Sequence, residues 1–91
     1  MSEAGHFVYI VRCKDGSFYT GYARDPKARA AVHNSGKGAR YTRSRRPVSV
    51  YASLELYDTS AARREEARVK ALSRPEKLAL AKSWPTPAQA G

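Results

Sequence analysis

Side chains that bind phosphate are concentrated in about a quarter of the sequence. Residues 24–46 hold eight basic side chains against the single acid Asp25, which accounts for seven of the nine excess positive charges of the chain. The eight are Arg24, Lys27, Arg29, Lys37, Arg40, Arg43, Arg45 and Arg46. Arginine and lysine pair with phosphate oxygens, and the ring of Tyr41 in the same segment can stack on a base. The segment therefore favours nucleic-acid contact over a merely solvated loop.

Charge alone does not separate nucleic acid from anionic lipid, but the arrangement of the charges does. A membrane-binding surface places its basic residues on an amphipathic helix, whereas most of these lie in a Gly-rich stretch. No apolar run approaches the roughly 20 residues that span a bilayer. We therefore expect a cytoplasmic protein, monomeric by default, whose partner is DNA most readily and RNA as the alternative.

Two residues in the basic segment have a spacing that suits chemistry. His33 follows Arg29 by four positions, so both lie on the same face of a predicted helix. There the guanidinium can pair with a phosphate and the imidazole can move a proton. The alternative is an exposed helix face without a function. The only cysteine, Cys13, excludes a disulfide or a cysteine-based zinc site and reads as a buried strand residue.

The strands that would position these residues are predicted from composition and periodicity. Residues 6–13 are apolar and rich in β-branched and aromatic types, and Asp15-Gly16 predicts a tight turn into a return strand over residues 18–22. Residues 48–57 alternate and form a third strand. One face of it carries Val48, Val50, Ala52, Leu54 and Leu56. The other face is polar, so we expect a sheet covered on one side only.

The helices are predicted from their capping signals. Asp25-Pro26 begins a helix that ends near Asn34, and residues 36–47 form a loop. A second helix over residues 61–72 follows the capping cluster at Asp58, and a capping box at Ser73 opens a last helix to about Lys82. The order β-β-α-β-α-α predicts an α+β fold in one domain, residues 1–82, with residues 83–91 as a disordered tail.

Short motifs in this order resemble the GIY-YIG nuclease superfamily, and in particular its small single-domain bacterial branch. The motifs, which span Phe7 to about Leu80, are Phe7-Val8-Tyr9, Tyr19-Thr20-Gly21-Tyr22, Asp25-Pro26, His33-Asn34, Gly36-Lys37-Gly38-Ala39, Tyr41-Thr42-Arg43 and Leu72-Ser73-Arg74. The resemblance implies a small antiparallel three-stranded sheet flanked by helices. It also implies a metal-dependent phosphodiesterase.

The resemblance further implies which residues form the site. Tyr9 and Tyr19 match the two motif tyrosines, Arg29 the helix arginine and Glu66 the metal ligand. His33 and Lys37 match residues usual in the small branch. One carboxylate with waters and substrate oxygens suits Mg²⁺ or Mn²⁺. Because a free phenol with a pKa near 10 is a poor base, a motif tyrosine needs a metal ion, Arg29 or His33 beside it, and His33 would relay its proton.

The residues alone leave alternatives open. Without the resemblance, Tyr9 and Tyr19 read as strand residues that pack across the hairpin, and Glu66 with Lys70 is an ordinary helix ion pair. Helical angles place Glu65 nearer the apolar stripe of its helix, whereas the family register favours Glu66 as the ligand. The chain also departs from the pattern, with Phe7 where the first motif has Gly and Thr20 where the second has Ile.

The predicted function is a metal-dependent, endonuclease-like hydrolysis of phosphodiester bonds in DNA, with RNA as the alternative substrate. The rival prediction is a non-catalytic nucleic-acid-binding module that keeps the fold and the basic segment. At 91 residues the chain has no room for a separate DNA-binding domain. We therefore expect target selectivity to come from the basic segment or from a partner protein.

Overall fold

The computed structural model describes residues 5–84 and confirms the predicted α+β order with one addition. The elements are β1 (His6–Arg12), β2 (Phe18–Ala23), α1 (Pro26–Asn34), α2 (Arg40–Arg43), β3 (Ser49–Leu56), α3 (Thr59–Lys70) and α4 (Arg74–Ala81). The three strands form an antiparallel sheet in the order β2-β1-β3, so β1 is central. The addition is α2, a single helical turn within the segment that was predicted to be loop.

The hairpin between β1 and β2 has the turn that Asp15-Gly16 predicts. Gly16 has a φ of +86°, a backbone conformation that glycine adopts without strain. The Cys13 N–H donates to the carbonyl of Ser17 at 2.8 Å, and the Asp15 carboxylate accepts from the Ser17 N–H at 3.0 Å. These bonds set the register in which Tyr9 lies opposite Gly21.

The prediction that one face of β3 carries all its apolar residues is wrong, because the strand contains a bulge. Ile10 pairs with Ala52 and Val11 pairs with Val50, which leaves Tyr51 as an extra residue. An extra residue reverses the alternation of faces beyond it. Val48 and Val50 therefore join one apolar cluster, whereas Ala52, Leu54 and Leu56 join the other.

The sheet is consequently covered on both faces, which corrects the expectation of one polar face. The larger cluster, which includes side chains of α3 and α4, contains the buried residues Val8, Ile10, Phe18, Ala52, Ala62, Val69, Ala81 and Trp84. The smaller cluster, on the other face, contains Tyr9, Val11, Cys13, Ala23 and Val48. Burial on both sides fixes β1 tightly, and β1 carries Tyr9.

Packing continues past the predicted domain boundary at residue 82. Trp84 is only 7% exposed and belongs to the larger apolar cluster, so the packed part of the chain extends at least two residues further. The remainder of the predicted tail, residues 85–91, lies outside the described residues. Between residues 5 and 84, no helix has the length and apolar character needed to cross a membrane.

The two helices that carry the candidate site begin at the predicted capping residues. Asp25 accepts the Ala28 N–H at 3.1 Å and starts α1. Asp58 accepts the Ala61 N–H at 2.7 Å, so α3 begins at Thr59, two residues before the predicted start. The capping box at Ser73 is confirmed at the start of α4. Local sequence therefore fixes where α1 and α3 start.

Thr20 gives a stability prediction. Its hydroxyl is buried and has no hydrogen-bond partner among the described residues. Because a buried hydroxyl without a partner is destabilising, Thr20→Val should raise the free energy of unfolding by about 1 kcal/mol. Urea denaturation of the variant and the wild type measures this difference.

Thr42→Val is the matched control, since Thr42 is equally buried but its hydroxyl lies 2.8 Å from His33 Nδ1. That variant should lose about 1–3 kcal/mol because it leaves a buried ring nitrogen unpaired. Equal destabilisation by the two substitutions would contradict the account of Thr20.

Candidate active site

A cleft of about 770 Å³ brings the predicted site residues together. All five predicted catalytic residues line it, contributed by β1, β2, α1 and α3: Tyr9, Tyr19, Arg29, His33 and Glu66. Lys37 lines the same cleft. Residues separated by up to 57 positions in the sequence therefore share one concave surface.

Tyr9 lies at the centre of this surface and explains the glycine of the second motif. The residue is 1% exposed and pairs across the sheet with Gly21. A Cβ at position 21 would lie 2.5 Å from Tyr9 Oη, a distance that non-bonded atoms do not reach. The Tyr9 phenol therefore occupies the space that any larger residue at position 21 would need.

His33 fixes the hydroxyl of Tyr9 from the side of α1. Its Nε2 lies 2.9 Å from Tyr9 Oη, and its Nδ1 lies 2.8 Å from Thr42 Oγ1. The Thr42 hydroxyl in turn contacts the Ala39 carbonyl at 3.0 Å. We call this series of hydrogen bonds the Tyr9–His33–Thr42 chain, and it connects β1, α1 and α2.

The Gly-rich motif beside the cleft also serves this chain. A side chain at Gly38 would overlap the imidazole of His33, so only glycine fits there. Gly36 has a φ of +88°, which lets the backbone turn directly after α1. The spacing of the two glycines therefore follows from a turn and a close approach, and Lys37 between them reaches the cleft.

Asn34 has a structural role that the sequence analysis missed. Its side-chain amide donates to the Val48 carbonyl at 2.9 Å and accepts the Val48 N–H at 2.7 Å. These two bonds attach the end of α1 to the residue before β3. From the sequence, Asn34 was interpreted as the end of a helix and as part of the His33-Asn34 motif. No local signal shows that its amide contacts the backbone of Val48.

Burial keeps both Tyr9 and His33 uncharged. Desolvation raises the pKa of Tyr9 to about 12, with the neighbouring Tyr19 adding to the rise and Arg29 opposing it. Desolvation also lowers the pKa of His33, and the positive charge of Arg29 lowers it further. At neutral pH the site therefore contains a neutral phenol in contact with a neutral imidazole.

The acid that faces the cleft is Glu66. Its side chain is 15% exposed and pairs with Lys70 at 3.1 Å. Glu65 instead pairs with Arg68 at 2.6 Å and is not among the residues that line the cleft. The structure thus places Glu66, and not its neighbour, beside Tyr19 and Arg29.

The side chains that could act as metal ligands determine which metal ions suit the cleft. Within residues 5–84 no group of three or more His, Cys, Asp or Glu side chains is placed to hold a metal ion. Closed sets of such protein ligands are typical of structural zinc. A single carboxylate such as Glu66 fits Mg²⁺ or Mn²⁺, which complete their coordination with waters and substrate phosphate oxygens.

Tyr19 is held by a group of stacked side chains. Its ring lies 5.3 Å from the ring of His33 and stacks on Tyr41 at 6.0 Å. The Arg45 guanidinium lies 3.9 Å from the centre of the Tyr41 ring and pairs with Asp15 at 3.1 Å. Tyr41 and Arg45, both predicted to contact nucleic acid, are therefore already engaged with their own chain.

Apart from Lys37, the other predicted nucleic-acid residues do not line the cleft. Arg43 and Arg46 line a second cavity of about 400 Å³, together with Asn34, Ser44 and Pro47. The remaining three, Arg24, Lys27 and Arg40, are exposed and line neither cavity. The basic segment is thus divided between the cleft, the second cavity and the outer surface.

Two further cleft residues escaped the sequence analysis. Arg63 lies with its guanidinium 4.9 Å from the ring centre of Tyr22, and both line the cleft. Arg63 precedes Glu66 by three positions in α3, a spacing that puts both on one helix face. That spacing was the signal that would have identified Arg63.

Comparison with known proteins agrees with the fold. Residues 5–79 match the sequence model of the GIY-YIG catalytic domain. The chain therefore belongs to the GIY-YIG family, a family of nuclease domains, as the motif resemblance indicated.

Within that family the chain is similar to proteins named UPF0213. It is 49% identical over 77 residues to UPF0213 protein SH2523 of Staphylococcus haemolyticus, and 53% identical over 78 residues to a UPF0213 protein of Staphylococcus aureus. Each alignment covers 85% of this chain and 94% of the relative.

Two solved structures share the fold. The solution structure of UPF0213 protein BH0048 from Bacillus halodurans is 49% identical, with a TM-score of 0.53 over 82% of this chain and 80% of that one. Protein EF2693 from E. faecalis is 38% identical, with a TM-score of 0.57 over 87% and 84%. The chain therefore lies in the UPF0213 branch of small single-domain bacterial proteins.

The lowered pKa of His33 predicts a pH dependence of stability. Because the folded chain binds fewer protons at His33 than the unfolded chain does, the free energy of unfolding should fall as the pH drops below about 6.5. Urea denaturation at about pH 7.5 and about pH 5.5 brackets that value.

His33→Gln is the control, since its amide keeps hydrogen-bonding groups but does not titrate in this range. The variant should show a smaller loss of stability between the two pH values than the wild type. An equal loss in both proteins would show that His33 is not the group responsible.

Proposed function

We propose that the chain hydrolyses phosphodiester bonds in nucleic acid, DNA first, with one divalent metal ion, Mg²⁺ or Mn²⁺, held by Glu66. The observation that carries this proposal is the cleft in which a neutral Tyr9–His33 pair lies beside Arg29 and Glu66. Membership of the GIY-YIG family supports a nuclease-type domain. The reaction, the metal ion and the residue roles are the proposal.

The cations of the cleft would bind the scissile phosphate. Arg29 from α1 and Arg63 from α3 both line the cleft, and Lys37 joins them from the Gly-rich turn. Guanidinium groups stay charged and match two phosphate oxygens at once. Cations already in place stabilise the negative charge that grows on the phosphoryl group during attack.

The Tyr9–His33–Thr42 chain would remove the proton of the attacking water. With its proton on Nδ1, His33 donates to Thr42 Oγ1, the Thr42 hydroxyl donates to the Ala39 carbonyl, and Nε2 accepts the Tyr9 hydroxyl. This tautomer satisfies the three shorter contacts but gives up the longest one, the hydrogen bond that the Ala39 N–H donates to Nδ1 at 3.4 Å, which the other tautomer keeps.

The proton transfer follows from that geometry. As the water oxygen bonds to phosphorus, its proton passes to Tyr9 Oη while the Tyr9 proton passes to His33 Nε2. The bond to the leaving oxygen breaks, and that oxygen takes up a proton from solvent. Arg29 opposes the rise in the pKa of Tyr9, so the same charge eases the transient loss of the phenol proton.

Tyr19 and Glu66 complete the proposed site. The ring of Tyr19 lies between His33 and Tyr41. We propose that its hydroxyl donates a hydrogen bond to a non-bridging oxygen of the phosphate. Glu66, held in the cleft by Lys70, would be the metal ligand. When bound, the metal ion would supply Lewis-acid polarisation of the phosphoryl oxygen.

The second candidate function is a binding module without catalysis. It is favoured by the Glu66–Lys70 ion pair, which occupies the carboxylate, and by burial, which raises the pKa of Tyr9 to about 12. Such a module would bind nucleic acid through the same basic side chains and leave the strands intact.

Cleavage by Glu66 and Glu65 variants separates the two functions. On supercoiled plasmid or branched DNA with Mg²⁺ or Mn²⁺, the wild type should introduce nicks and Glu66→Ala should be slower by about 100-fold or more. Glu65→Ala is the matched control, since Glu65 pairs with Arg68 outside the cleft, and it should keep most of the activity. Tyr19→Phe should also cleave the DNA slowly.

Binding of the same DNA is measured in parallel by fluorescence anisotropy. If the wild type cuts no faster than Glu66→Ala while both bind, the binding module is correct and the nuclease proposal fails. If Glu65→Ala loses activity and Glu66→Ala keeps it, the ligand assignment is wrong.

A further inference from the structure

The second cavity has the side chains of an anion site. It has a volume of about 400 Å³ and is lined by Asn34, Arg43, Ser44, Arg46 and Pro47. Two of these five residues are arginines and none is acidic. Two guanidinium groups beside one concave surface favour a phosphate or a similar oxyanion.

The guanidinium of Arg46 is held in place by the backbone. Its Nε donates to the Arg43 carbonyl at 2.9 Å, and its Nη1 donates to the Asn34 carbonyl at 3.3 Å. A guanidinium has five N–H donors, so three remain for an external acceptor. Because the group is already fixed, little side-chain entropy is lost when an anion binds.

Arg43 adds a second cation whose charge is not neutralised nearby. Its side chain is exposed, and none of the ion pairs found among the described residues involves it. The amide of Asn34, by contrast, is engaged with Val48. Arg43 and Arg46 are therefore the groups that would bind the ligand.

The position of this cavity indicates what the ligand is part of. His33 lines the cleft and the next residue, Asn34, lines the second cavity. The Gly-rich turn runs from Asn34 to Ala39, and Lys37 in this turn lines the cleft. The Arg46 guanidinium packs against Gly36, since a Cβ added there would lie 2.9 Å from Arg46 Nη1. Two concave surfaces that carry basic side chains thus flank one short turn.

We propose that the second cavity is a phosphate subsite that holds a backbone phosphate of the same nucleic acid, away from the bond that the cleft would cleave. A polyanionic strand that passes over the Gly-rich turn meets positive charge on both sides of it. The inference rests on the proposed function for the identity of the ligand, but it concerns binding and not cleavage.

The test compares Arg43→Gln with Arg64→Gln, which removes one charge from an exposed position on α3 that lines neither cavity. Fluorescence anisotropy of a labelled duplex of about two helical turns is measured over a range of KCl concentrations without divalent metal. Arg43→Gln should weaken binding about three- to tenfold and lower the slope of log affinity against log salt by about one. Arg64→Gln should change the affinity and the salt slope by less.

A second measurement probes the cavity directly. Titration with inorganic phosphate should shift the Nε–H signal of Arg46 in NMR spectra of the wild type, and more phosphate should be needed in Arg43→Gln. Thermal denaturation establishes that both variants are folded. Phosphate binding that is unchanged in Arg43→Gln would overturn the role of Arg43.

The outcomes for this subsite and for the nuclease proposal are distinct. Equal affinity and salt slope in Arg43→Gln and Arg64→Gln would overturn the subsite, even if the wild type cleaves DNA. A specific effect of Arg43→Gln in a protein that cuts nothing would support the subsite and refute the nuclease. Absence of salt-dependent DNA binding would refute both.

Discussion

The hydrogen bond between Tyr9 and His33 is the contact around which the site is built. It joins the central strand to α1 in a buried position, where an unpaired polar group would be costly. The bond needs space on both sides, so positions 21 and 38 must be glycine. It also needs Thr42 on the far side of the imidazole, which brings α2 against α1. Motif residues scattered along the chain therefore share one physical cause.

The same contact explains why the site remains uncharged at rest. A buried neutral pair avoids the desolvation cost of a buried ion pair, and the pKa shifts of both groups have the direction that keeps them neutral. Charge is supplied instead at the wall of the cleft by Arg29, Arg63 and Glu66. In the proposed mechanism, such a site would move a proton between neighbours when a phosphate binds, without storing a phenolate in the interior.

Much of this structure could be predicted from local signals. The Asp15-Gly16 turn and the caps at Asp25, Asp58 and Ser73 depend on a few adjacent residues, and each is present. The bulge at Tyr51, the burial of Trp84 and the contact of Asn34 with Val48 were missed because each depends on a distant partner. The motif resemblance identified the five predicted catalytic residues and Lys37, but it did not identify Arg63 or show that Tyr41 is already stacked.

In the proposed mechanism, the Tyr9 hydroxyl donates to His33 Nε2 while His33 Nδ1 carries the proton. Long-range ¹H–¹⁵N NMR of the imidazole reports the tautomer directly at neutral pH. We expect a protonated Nδ1 and an unprotonated Nε2 for His33, and Tyr9→Phe should change the Nε2 shift far more than the Nδ1 shift. A proton found on Nε2, pointing at Tyr9, would refute this mechanism, because His33 could not then accept the proton of Tyr9.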